Sequence, residues 1–124
     1  METKNALITG TMLGIEEHGI LTFSLYLDYG GSGQAAGGFS LDTPIHQGDT
    51  FIKRIGTAAG MSLIMRIITV VGVEKWEDLK GKYIRIKGDF TQIQAIGNVI
   101  KDDWLDFKQF FEEIKPFIQL IKPE

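Results

Sequence analysis

The chain has 124 residues, 44% of them hydrophobic and 23% charged, which predicts one domain over 1–124 with a buried core and excludes a disordered chain. A net charge of −3 argues against extended nucleic acid as a partner, since that needs a basic face; one small phosphorylated ligand, which a local pair of cations could hold, stays open. Cysteine is absent and the only histidines are His18 and His46, so disulfides and thiolate chemistry are excluded and neither a metal centre nor a cofactor is expected. The N-terminus METKNALITG has no signal-peptide architecture, and the most apolar run, Met61 to Val73, is short and interrupted by Arg66. A cytoplasmic protein with no membrane partner is the expectation.

Ala6 to Ile15 is β-compatible, Glu16 to Gly19 reads as a turn, and Ile20 to Tyr29 is the clearest strand. In that strand Leu21, Phe23, Leu25 and Leu27 share one side, so the two segments predict a hairpin. Gly30 to Asp42, GGSGQAAGGFSLD, carries five glycines in its first nine positions. Such density calls for positive φ angles, a bulge or a close backbone approach. It is read as a wide, bulged connection, with Gly37 to Leu41 returning as a third strand. Asp42 to Thr50 reads as a loop whose Asp49 or Thr50 caps a helix over Phe51 to Val71, ended by Gly72. Gly56 and Gly60, placed in that helix, would let another backbone come close. VEKWEDLKGK predicts a short helical turn stopped by Gly81, Tyr83 to Lys87 a strand, Gly88 to Phe90 a turn, and Thr91 to Ile100 a strand bent near Gly97. Asp102 to Ile114 is amphipathic, with Asp102 or Asp103 as cap, an aromatic face extended by Phe117, and Pro116 ending or disrupting the helix. Strands, helix, strands, helix without βαβ alternation predict an α+β fold: a mostly antiparallel sheet, a central helix and a C-terminal amphipathic helix.

The glycine cluster is not a dinucleotide fingerprint. GSGQAA puts Ala36 where the third glycine belongs and leads into a strand, and no GK[ST] follows. Its bare backbone at Gly37 and Gly38 could instead wall a pocket. Arg66 interrupts SLIMRIITV, so it needs a carboxylate, carbonyls or a phosphate; an internal pair with Glu74 or Asp78 is the plain alternative. Arg85 sits in YIRIK with Ile84 and Ile86 turned to the core, leaving it solvated or ligand-facing. Asn98, in the apolar AIGNVI, is either a strand-end residue beside Gly97 or an amide that reads a base or ribose edge. Phe39, Tyr83, Phe90 and Trp104 could stack on a base, although each is as readily a core residue. His18 and His46 have no adjacent nucleophile, and no serine has a GxSxG context. No catalytic residues are therefore assigned.

Three phrases, GIEEHGILTFSLYLDYGGSGQAAGGFSLD, VGVEKWEDLKGKYIRIK and IQAIGNVIKDDW, together spanning most of the chain, resemble the phage anti-Thoeris signal-sponge family. The resemblance implies a phage counter-defence protein that binds and sequesters cyclic ADP-ribose-type immune signals without cleaving them. It further implies a homo-oligomer with pockets between protomers, and in some members cyclic oligonucleotides at separate sites. One departure is Ala35-Ala36, where related chains tend to have a glycine and an aromatic. The candidate ligand residues, chosen on chemistry, are Arg66, Arg85, Asn98, Phe39, Gly37, Gly38, Phe90 and Trp104. The alternative reading is a small phage protein that inhibits a host protein by direct contact through a sheet edge or the C-terminal aromatic face. A structural or DNA-transaction accessory is a third reading, which the acidity disfavours.

Overall fold

In the computed structural model, which describes residues 3–16, 18–89 and 91–121 with side chains to residue 115, the alternating N-terminal segments form strands β1 (Thr3–Ile15) and β2 (Leu21–Tyr29). They pair antiparallel from Leu7↔Asp28 to Ile15↔Leu21. Phe23, Leu25 and Leu27 are all buried; removing each from water stabilises the fold by roughly 1.5–3 kcal/mol. β3 (Ser32–Gly37) follows at once through a two-residue turn, because Tyr29 pairs with Ser32. Gly30 and Gly31 have φ of 71° and 86°, the left-handed pair that a type I′ hairpin turn requires. The wide connection predicted here is corrected: the cluster is itself the third strand. Of the predicted return strand Gly37 to Leu41, only Gly37 is in β3; Gly38 to Leu41 is irregular, although Gly38 and Leu41 still donate backbone hydrogen bonds to the carbonyls of Phe23 and Leu21, at 2.8 Å each.

The segment read as a loop with its helix cap, together with the first six residues of the predicted helix, is instead a second hairpin, β4 (Asp42–Gln47) and β5 (Thr50–Gly56), whose strands pair only with each other. Helix α1 (Ala58–Val71) begins after it. Its N-cap is Thr57, whose hydroxyl accepts from the Gly60 N–H at 2.9 Å, and its end is Gly72 in the left-handed region. Asp49 and Thr50 lie at the hairpin tip. The Phe51/Ile55 spacing that suggested a helix is compatible with a strand as well. Gly60 does serve close approach: it packs against the Leu41 backbone.

After a 3-10 turn at Trp76–Asp78 come β6 (Tyr83–Gly88), β7 (Ile93–Gly97) and β8 (Trp104–Asp106), then α2 (Phe107–Ile121). Four expectations change. β7 stops at Gly97, and Trp104–Asp106 is a strand rather than the start of the helix, because it pairs with Ala95–Gly97. Asp106, not Asp102 or Asp103, accepts from the Gln109 N–H at 3.0 Å and caps α2. The helix continues through Pro116 to Ile121, although proline removes one backbone donor. The side chain of Phe117 lies outside the described ones.

The main sheet runs β3-β2-β1-β6-β7-β8, antiparallel throughout, so the architecture is α+β as expected. It curls until β3 approaches β7, and Gln34 Nε2 donates to the Asp89 carbonyl at 3.2 Å across the gap. Leu63, Ile67 and Val70 of α1 join Ile8, Phe23, Ile84, Ile96 and Phe107 in one buried core. No helix among the described residues is long and apolar enough to cross a membrane.

Candidate functional site

The curl of the sheet leaves a cleft of about 750 Å³ between the Phe39 loop, β7 and the first turns of α2. Phe39 is held over it by its own backbone: the buried Thr22 hydroxyl donates to the Phe39 carbonyl at 2.7 Å. Its ring lies 5.0 Å from Phe107 and 5.4 Å from Phe111, so the aromatic wall is braced from beneath by core packing. Lys108, Phe111 and Lys115 fall at i, i+3 and i+7 of α2 and all line the cleft, as one helical face must. Gln92 and Gln94 supply amides from β7 and the residues before it. Among the described residues the only ion pairs are Arg54–Asp42 and Arg66–Asp103, so neither lysine of the cleft is tied to a carboxylate. Asp106 and Glu112 also line it, and they leave its formal charge balanced.

A second cluster lies on the outer face of the sheet. The register places Arg85 opposite Gly97 and Gly97 opposite Trp104. The indole lies over the bare Gly97, where a methyl group would come within 2.7 Å of the ring. Arg85 stands 4.8 Å from the indole centroid and Lys87 4.1 Å, distances at which a cation is attracted to an aromatic face. Arg85 also donates to the Asn98 carbonyl (2.7 Å) and the Lys101 carbonyl (2.8 Å). Arg66 is paired with neither Glu74 nor Asp78. Its guanidinium grips Asp103 at 2.5 and 3.2 Å and donates to the Trp104 carbonyl at 3.1 Å. Those hydrogen bonds hold the Asp103 carboxyl below the usual carboxylate range.

Four of the sequence-predicted residues therefore meet around the β7–β8 connection: Arg66, Arg85, Asn98 and Trp104. Asn98 is the strand-end residue, and its carboxamide is fully engaged. Nδ2 donates to the carbonyls of Val70 (3.0 Å) and Val71 (3.4 Å) at the end of α1; Oδ1 accepts from the N–H groups of Ile100 (2.9 Å) and Lys101 (2.8 Å). Phe39 belongs to the cleft, the other grouping. Gly37 leads into the Phe39 loop at φ 129°, packed against Phe23, and Gly38 follows at φ 82° with open space where a side chain would be. Phe90 lies outside the described residues. Sequence reading passed over Lys108, Phe111, Lys115, Gln94 and Lys87 as site residues. For the first three the signal was available in their common helical face.

No protein-family model matches this sequence, and no curated protein matches it significantly.

Proposed function

We propose that the protein is a phage counter-defence sponge that binds a cyclic ADP-ribose-type signal in the cytoplasm of the infected cell and withholds it without breaking a bond. Two things support the reading: the phrase resemblance over most of the chain, and the chemistry of the cleft. The observation that carries it is the placing of Lys108 and Lys115 on either side of Phe111, facing Phe39 and the amides of Gln92 and Gln94. An adenine asks for an aromatic face and an amide, and a diphosphate asks for cations with free donors. About 750 Å³ lies within the span typical of small-molecule sites. Sequestration works by mass action, so tight binding suffices and no reacting group is needed.

Titration calorimetry with cyclic ADP-ribose and its linkage isomers tests the assignment. Wild type binds at least one isomer. Lys108→Ala with Lys115→Ala, both exposed and therefore compatible with folding, lowers affinity at least tenfold, since a charge-assisted hydrogen bond contributes about 1.5–3 kcal/mol. Unchanged affinity in that double variant would remove the cleft from the account.

A further inference from the structure

The curled sheet holds a second cavity, of about 500 Å³, at the end marked by the β2–β3 turn. Its walls follow from strand alternation. On the core side of β1, Ala6 and Ile8 are buried, and Lys4 is the next residue on that side, opposite the buried Ile86. On β2, Phe23, Leu25 and Leu27 are followed by Tyr29. On β3, the buried Ala36 is preceded by Gln34 and Ser32, which lie opposite Leu27 and Tyr29. Three neighbouring strands thus turn polar on the core side at one end of the sheet, while Ile86 and Ile93 keep part of the wall apolar. Polar residues at core-side positions run against the patterning that makes a strand fold, and functional sites are where such departures are expected.

The groups there are held in place, and their acceptors are largely used. The Tyr29 hydroxyl donates to Gln34 Oε1 at 2.8 Å, and Gln34 Nε2 donates to the Asp89 carbonyl at 3.2 Å. The one carboxylate of the described lining, on Asp89, is engaged by its own turn: Oδ1 accepts from the Thr91 N–H, the Thr91 hydroxyl and the Gln92 N–H at 2.9, 2.7 and 3.1 Å. Lys4 Nζ stands 5.2 Å from the Tyr29 ring centroid and pairs with no carboxylate among the described residues. What remains is one ammonium, the Ser32 hydroxyl and the second amide hydrogen of Gln34. These are donors around a single positive charge, beside an aromatic ring and two isoleucines. We infer that this cavity binds a small organic monocarboxylate, its carboxylate on Lys4 and its apolar body against Tyr29, Ile86 and Ile93. About 500 Å³ is within the span of small-molecule sites. A cyclic dinucleotide does not match, because its second phosphate would find no second cation in the described lining. The inference is independent of the ligand reading, since Ile93 is the one residue shared between this lining and that of the cleft.

An NMR titration resolved by amide group, with acetate, benzoate and hexanoate as probes, tests it. In wild type at least one of the three saturably shifts the Gln34 side-chain amide and the Gly33 N–H. The matching primary amide (acetamide, benzamide or hexanamide) binds at least about tenfold more weakly, since a charge-assisted hydrogen bond is lost. Lys4 is exposed, so Lys4→Met leaves the rest of the spectrum unchanged; it weakens the carboxylate at least about tenfold, and Lys4→Arg restores it. No saturable response to any of the three carboxylates overturns the inference. So does binding that is indifferent to Lys4→Met or equal for acid and amide. A response centred on Lys108 and Lys115 would give the carboxylate to the cleft and equally overturn it, and displacement of the bound carboxylate by a cyclic dinucleotide would overturn the choice of a monoanion.

Discussion

Gly60 is the position where helix propensity and packing make opposite predictions. In the first turn of α1, replacing glycine by alanine should stabilise an isolated helix by up to about 1 kcal/mol. Here the added methyl would lie 2.7 Å from the Leu41 Cα and nearer still to its carbonyl oxygen. The neighbour is backbone, so no rotamer change relieves the contact. Leu41 is also pinned: its N–H donates to Leu21 at 2.8 Å, and its carbonyl accepts from the Thr57 N–H and hydroxyl, each at 3.1 Å. Retreat would stretch bonds contributing about 0.5–1.5 kcal/mol apiece, on top of an overpacking cost of roughly 1–3 kcal/mol. Gly60→Ala should therefore destabilise by about 2–4 kcal/mol and lower Tm by on the order of 10 °C. Gly56→Ala, with nothing within 4 Å, is the control and should leave Tm within a few degrees of wild type. Thermal melts by circular dichroism measure both; a Gly60→Ala protein that melts at or above wild type refutes the reasoning.

Asn98→Asp keeps the acceptor for Ile100 and Lys101 but loses the donor to Val70 and Val71 and sets a negative charge at the C-terminal end of α1, where the dipole disfavours it; we expect a loss of about 1–3 kcal/mol in urea unfolding, and a Gln substitution that matched wild type while Asp did the same would contradict it. Gly97→Ala should lift the indole of Trp104 from beneath Arg85 and Lys87, read as a shifted tryptophan emission maximum with a stability loss of about 1–3 kcal/mol; an unshifted spectrum counts against the packing described. Asp103 has its folded pKa depressed by the Arg66 hydrogen bonds, so its stabilisation is present above the unfolded value of about 3.9 and is lost as pH falls through the lower folded value. Asp103→Asn should accordingly flatten the fall of the urea midpoint on acidification from neutral pH to below that value, and an unchanged acid slope would show that the pair contributes nothing.

What was legible in the sequence follows from burial. β2 could be read because Phe23, Leu25 and Leu27 alternate against one core, and β6 because Ile84 and Ile86 do the same. The β4–β5 hairpin could not, because no core imposes a period on it: Phe51 and Ile55 suit a helix as well as a strand when neither face is packed. Trp104–Asp106 was assigned to the helix because three residues carry too little pattern, and only pairing with β7 makes them a strand. Arg66, Arg85, Asn98 and Trp104 stood out as polar or aromatic residues in apolar runs, and the structure does bring them together. Their mutual hydrogen bonds account for much of that oddity. Lys108 and Lys115 share a helix face with Phe111 that the sequence does display, but only the approach of Phe39 from a distant loop makes that face the wall of a cleft.

The most direct test of the sponge reading is recovery of the signal. Protein in excess is incubated with cyclic ADP-ribose-type nucleotide, the free fraction is removed, and the complex is heat-denatured. The account predicts depletion from the free fraction followed by release of chemically intact nucleotide in stoichiometric amount. Release of a hydrolysed product, or no depletion by well-folded protein with any isomer, contradicts it.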